Sequence, residues 1–214
     1  MDLLEFARGP GLAFSLGVFG LGLAWRIAGI FRRPARVQLW APRRTDVVAG
    51  GLRAIFAKML PPKRIKTRVT AMANAYVYHL GIALVVLAFA PHIEFVQRYT
   101  GLSWPALPDW VTYLATAATM LSLLLALVLR LTDAVLRLLS SFDDYFSWCV
   151  TMLPFLTGMA LLPRPADPGP LAVHLLSLEL LLVWLPFGKL AHAVLVFVSR
   201  YRTGADFTRK GAAV

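Results

Sequence analysis

Residues 174–192 read HLLSLELLLVWLPFGKLAH. The stretch is apolar enough to sit in lipid, yet a histidine closes each end. A straight helix through it makes five whole turns between His174 and His192, so both imidazoles project from one face, about 27 Å apart along the axis. That is close to the thickness of a bilayer's hydrocarbon core. The stretch therefore reads as a membrane helix with one imidazole near each surface, and the rest of the chain is read outward from it.

The composition agrees. The 214 residues are 58% hydrophobic and 15% charged, with a mean hydropathy of +0.67. A soluble domain of this length carries more polar surface. Five stretches reach the roughly 20 apolar residues that a spanning helix needs: about 10–31, 71–92, 108–131, 145–163 and 171–199. The opening MDLLEFARG has neither a basic leader nor a small-residue cleavage site, so the first helix is expected to be a retained span. The expected fold is a single all-α membrane domain over 1–214 with five transmembrane helices.

Charge orients it. The segment 32–70 carries eleven Lys/Arg and one acid, Asp46. Arg130 and Arg137 follow the third span, and Arg200, Arg202, Arg209 and Lys210 follow the fifth. All of these fall on one side of a five-span layout, against Arg8, Arg98 and Arg164 on the other. The positive-inside rule then puts the N-terminus outside and the C-terminus in the cytoplasm. The net charge of +11 is mostly this asymmetry, and juxtamembrane lipid accounts for it without nucleic acid. Within 32–70, residues 46–60 set Val48, Leu52, Ile55, Phe56 and Met59 at helical spacing. This predicts a cytoplasmic surface helix between spans one and two, resting on lipid or docking a peripheral subunit.

The lone Cys149 excludes a disulfide framework, covalent CxxCH haem, an all-cysteine iron–sulfur cluster and a four-cysteine zinc site. Four histidines remain. His79 lies inside span two and His92 at its far end; span five carries His174 and His192. A single intramembrane histidine is often just a polar group satisfied by a neighbouring helix. Here all four fall on two antiparallel spans at two matched depths: His79 with His192 on the cytoplasmic side, His92 with His174 on the outer side. Two imidazoles can hold one haem iron from both sides, leaving no open position, so such a centre passes electrons. Two pairs make a two-haem ladder. On a straight helix, however, His79 and His92 point about 220° apart, so the outer pair needs a break at Ala90–Pro91, where proline disfavours regular helix.

The stretch HLLSLELLLVWLPFGKLAH resembles the last helix of the cytochrome b (gamma) subunit of respiratory nitrate reductases, with its PF-small-basic-x-x-His ending as PFGKLAH. AYVYHLGIALVVLAFAPH resembles that family's second helix, and SSFDDYFSW the approach to its fourth; spans one and three match only in hydropathy. In the family the second ligand of this helix sits nearer the first, around Phe89, whereas AFAPH carries it three residues on. The resemblance implies two haem b groups, a quinone site near the outer haem among His92, the 93–108 loop and the start of span three, and iron–sulfur and catalytic subunits on the cytoplasmic face. It also implies a haem-propionate role for Lys189, for which Arg26 and Arg200 are further candidates. The family uses a lysine near the quinone; none lies between His92 and Arg130. Glu179 reads as a protonated core carboxyl or part of a proton path, and Pro186 as a kink. The competing expectations are a transporter or scaffold without haem, and a single-haem cytochrome.

Overall fold

A computed structural model of the chain describes residues 1–32, 41–57, 69–163 and 167–212. Among these, all regular structure is helical: α1 (Leu3–Arg8), α2 (Pro10–Arg32), α3 (Val47–Ala57), α4 (Val69–Ala88), α5 (Ala90–Thr100), α6 (Asp109–Thr132), α7 (Ala134–Leu139), α8 (Phe142–Leu161), α9 (Pro168–Trp184) and α10 (His192–Arg209), with a 3₁₀ turn at Lys189–Ala191 leading into α10. The chain forms two compact units, one of α1–α3 with α9 and α10, the other of α4–α8.

The burial pattern is that of a protein solvated by lipid. Exposed side chains are large and apolar: Leu21 is 76% exposed, Leu80 66% and Leu121 67%. Buried ones include Ser15, Asn74, Thr119, Ser122 and Glu179. Lipid tails are as apolar as leucine, so burial of leucine gains little and small or polar residues mark helix contacts instead. Three helical stretches are long and apolar enough to cross a membrane: Leu3–Arg32, Val69–Ala88 and Asp109–Thr132. Counting the bent pair α9–α10 as one span gives a fourth. The expected span at 145–163 lies in α8, whose serine, threonine, tryptophan and two N-terminal aspartates dilute its hydropathy below the other three.

In the first unit, α2 and α9 run parallel. Gly11 faces Glu179 and, eleven residues on, Gly22 faces Pro186. The α3 helix packs along α10 through Gly50, Gly51 and Ala54, while Val48, Leu52 and Phe56 are exposed. A helix thus exists within the predicted 46–60, as Val47–Ala57, and turns its small residues to the protein; Met59 lies outside the described residues.

The straight helix expected over 171–199 is not formed. The α9 and α10 axes meet at 83°. Pro186 has no N–H to continue the ladder, and the chain turns through Gly188 and the 3₁₀ segment. The shared face and 27 Å axial separation of His174 and His192 fall with it.

In the second unit, α4 and α6 form an antiparallel hairpin. Asn74 meets Ser122, and Gly81 meets Thr119. The connecting segment is pinned to the end of α4 by Leu107 N–H on the Ala88 carbonyl (2.9 Å) and by the Trp104 indole on the Leu87 carbonyl. Part of the loop expected at 93–108 is helical, as α5, which ends on Gly101 in the left-handed conformation (φ 77°) that glycine adopts without a Cβ penalty. Arg130 at the end of α6 pairs with Asp144 of α8 at 2.9 Å, and the Trp148 indole donates to the Leu123 carbonyl at 2.7 Å.

Candidate functional site

The histidines are held by their local backbones. In α4, His79 Nδ1 lies 2.7 Å from the Ala75 carbonyl one turn earlier. A carbonyl oxygen only accepts, so Nδ1 carries a proton, and Nε2 is the nitrogen whose lone pair could bind a metal. The same logic fixes His192, whose Nδ1 is 2.7 Å from the Lys189 carbonyl. It also fixes His92, whose Nδ1 reaches the Val85 carbonyl at 2.9 Å. Backbone carbonyls on Nδ1 are the usual outer partners of imidazoles that bind metal through Nε2.

His92 owes this geometry to a chain break. The α4 helix stops at Ala88, Phe89 is extended (φ −82°, ψ 127°), and α5 starts at Ala90 with Pro91 in its first turn. The break sits one residue earlier than the expected Ala90–Pro91 step, because proline fits the start of a helix and constrains the residues before it. The ring folds back over the last turn of α4, edge-on to Phe89 at 5.3 Å. Burial there lowers its basicity, partly offset by the Val85 hydrogen bond. His174 lies half-buried in the second turn of α9; its carbonyl accepts the Ser177 hydroxyl at 2.6 Å.

Four of the seven residues expected to hold a cofactor come together. Arg26, Lys189, His192 and Arg200 line one cavity of about 470 Å³ in the first unit, with Ser199 beside them. The bend makes it: α10 turns away from α9, so the 3₁₀ turn presents Lys189 and His192, α10 presents Ser199 and Arg200 two turns on, and α2 brings Arg26. Arg26 Nη1 also donates to the Pro186 carbonyl at 3.2 Å, a group that the broken helix leaves without an N–H partner. Sequence reading missed Ser199 and this bond; the only signal for them was the polar i, i+7 spacing of His192 and Ser199 in an apolar run. Lys189 and His192 share the turn, as their spacing suggested. His79 and His92 belong to the second unit, 13 residues apart across the Phe89 break. Among the described residues, no three His, Cys, Asp or Glu side chains cluster as a metal-ion site.

These features define a class: an all-helical membrane protein whose apolar helices carry tautomer-fixed histidines, with a cationic cavity at a broken helix. The chain belongs to the same family as a protein of Nitratidesulfovibrio vulgaris (strain Hildenborough), to which it is 31% identical over 215 residues, spanning 97% of this chain and 95% of that one. That relative is described simply as "Protein", so kinship carries no activity across. No family model and no solved structure matches the chain.

Proposed function

We propose that this protein is a di-haem b electron-transfer subunit in a bacterial cytoplasmic membrane, of the nitrate reductase gamma type, passing electrons between quinone and a cytoplasmic iron–sulfur partner. The observation that carries this reading is the cavity beside His192: an imidazole fixed to present Nε2, among three cations. The donor set fits haem b, which needs nitrogen ligands for its iron and cations for its two propionates. Haem, when bound, supplies one-electron chemistry at its iron.

In this reading His79, His92, His174 and His192 supply the nitrogen ligands of the two irons. Lys189, Arg200 and the remaining N–H groups of Arg26 hold propionates. The carbonyl partners of Nδ1 orient the rings of His79, His92 and His192 and leave Nε2 as the ligating nitrogen. The final substrate is met on a partner catalytic subunit, not on this chain.

Five spans are part of the proposal, and the parallel packing of α2 and α9 supports them. Parallel spans have an odd number of crossings between them. Helices α4 and α6 supply two, so α8, 20 residues and about 30 Å long, supplies the third. The 17 residues of α9 reach across by themselves at the short end of the spanning range, which leaves α10 and α3 at the cytoplasmic surface.

The test is a visible spectrum with a pyridine haemochrome count on purified protein. Two haems per chain are expected, falling to one in His192→Ala and to one in His174→Ala. One haem in the parent, lost with His192→Ala, makes it a single-haem cytochrome. No haem at all ends the proposal in favour of a scaffold or transporter.

A further inference from the structure

Glu179 is the buried ionisable residue that the electron-transfer reading does not use. It lies in α9 with 7% of its surface exposed. Oε1 has no hydrogen-bond partner among the described residues. Oε2 rests over Gly11 of α2, where a Cβ would stand 2.6 Å from it. The ionisable residues on the elements packed against α9 in this unit are Glu5 and Arg8 of α1 and Arg26 and Arg32 of α2, the last at the far end of that helix; α9 itself adds His174. The Glu5 carboxylate caps the Asp2 N–H, and Arg26 is engaged at Pro186. No ion pair among the described residues reaches Glu179.

An unpaired carboxylate in apolar surroundings is far costlier than the uncharged acid, and intramembrane acids that persist there mark function more often than packing. The position also offers access. Gly11 is in the first turn of α2, directly after the Gly9–Pro10 break that ends α1. Beyond that break Arg8 and Glu5, three and six residues before Gly11, are exposed, so charged side chains stand within two helical turns of the cradle. We propose that Glu179 is a proton-binding site: a carboxylic acid cradled by Gly11 that gives its proton to water as hydronium, becoming a carboxylate, and takes one back. The proposal stands whether or not the chain binds haem.

Infrared spectra of the full chain in liposomes test it, in water and in deuterium oxide. The wild type is expected to show the carbonyl band of a weakly hydrogen-bonded carboxylic acid, absent in Glu179→Gln and shifted down in deuterium oxide. Dicyclohexylcarbodiimide, which attacks protonated carboxyls in apolar sites, is expected to label Glu179 of the wild type, as read by peptide mass, and to label it several-fold less in Gly11→Ala. A missing band together with an unlabelled Glu179 overturns the proposal. A band indifferent to deuterium oxide makes Glu179 a sealed acid and overturns it equally. Labelling uses the parent chain, so it decides even if Glu179→Gln fails to fold.

Discussion

The two compact units hold their helices together by different balances of close backbone approach and side-chain hydrogen bonding. In the unit of α1–α3, α9 and α10, helices approach where side chains are missing. A Cβ on Gly50 would fall on the Thr208 hydroxyl and one on Gly204 on the Ala54 methyl; one on Gly51 would stand 2.6 Å from the Tyr201 ring. In the unit of α4–α8, one join is of that kind, Gly81 against Thr119, and the others are side-chain hydrogen bonds. The Asn74 amide donates to the Ser122 carbonyl at 2.9 Å, and the Ser122 hydroxyl returns a bond to the Asn74 side-chain oxygen at 2.6 Å. Both answer the same problem, because lipid leaves no hydrophobic gain for pressing one leucine-covered helix on another. Close backbones gain dispersion contacts; polar pairs gain hydrogen bonds that hydrocarbon cannot supply. The first kind should fail on added volume and the second on a lost donor.

The largest effect is expected where volume is added to a tight contact that backbone lines. Gly204→Val drives a branched side chain into Ala54 and the Gly50 carbonyl, which a Cβ would already approach to 2.9 Å. Overpacking costs typically about 1–3 kcal/mol, and this site belongs at the upper end because backbone lies on one side. Gly17 is the control: nothing stands within 4 Å of its Cβ position, and Gly17→Ala should be neutral or stabilise by up to about 1 kcal/mol through helix propensity. Thermal unfolding in detergent followed by size exclusion reads both. Equal shifts for the two variants would mean that close backbone approach does not hold this unit together.

How far the sequence disclosed this arrangement depends on the range of the interaction. Runs of apolar residues located α2, α4 and α6, because hydropathy is a local property that lipid reads directly. The spacing of Val48, Leu52 and Phe56 located α3. The bend after Trp184 was half legible: Pro186 announces a kink, but its 83° angle comes from Gly188 and the 3₁₀ turn acting with it. Lys189 and His192 are neighbours by spacing, and Arg26 stood out as a cation inside an apolar span, so the cavity's members were readable while the cavity was not. The Gly50–Thr208 and Asn74–Ser122 contacts join residues far apart in the chain and leave no periodic trace. Nor does the sequence say that Phe89, rather than Pro91, ends α4, since the cost of proline falls on the residues before it.

A smaller effect is expected from the polar join. Ser122→Ala removes the hydroxyl and strands the Asn74 side-chain oxygen, and Asn74→Ala removes both partners at once. Each single change should cost about 1–2 kcal/mol, with a coupling between them of about 0.6 kcal/mol, at most about 1.7 kcal/mol. A double-mutant cycle in the same unfolding assay measures the coupling. Additive losses would mean that α4 and α6 are joined by shape, as in the other unit, and the contrast would collapse from this side.

The smallest effects come from two ion pairs, one in each unit. Asp144 side-chain exposure is 7% and that of its partner Arg130 is 34%; for Arg44 and Asp46 the values are 50% and 40%. Solvent screens the second pair almost fully. Arg44, hydrogen-bonded to it at 2.7 Å, holds the Asp46 carboxyl below its ordinary range. A depressed folded-state pKa adds stability above the unfolded carboxylate pKa, and that contribution is lost as the pH falls through the folded value. For Asp46 the sign is therefore loss on acidification, over a pH window below the ordinary aspartate range, and the size should be undetectable. Asp144→Asn is expected to lower stability at neutral pH by about 1 kcal/mol, reduced from a fully buried pair because Arg130 is one-third exposed. Unfolding temperatures of Asp144→Asn and Asp46→Asn, measured at neutral pH and again in the acid range, separate the cases. Asp46→Asn should track the wild type throughout. A pH-dependent gap between them would show the Arg44–Asp46 pair, beside the start of α3, bearing on the glycine-packed unit as the Arg130–Asp144 pair bears on the other.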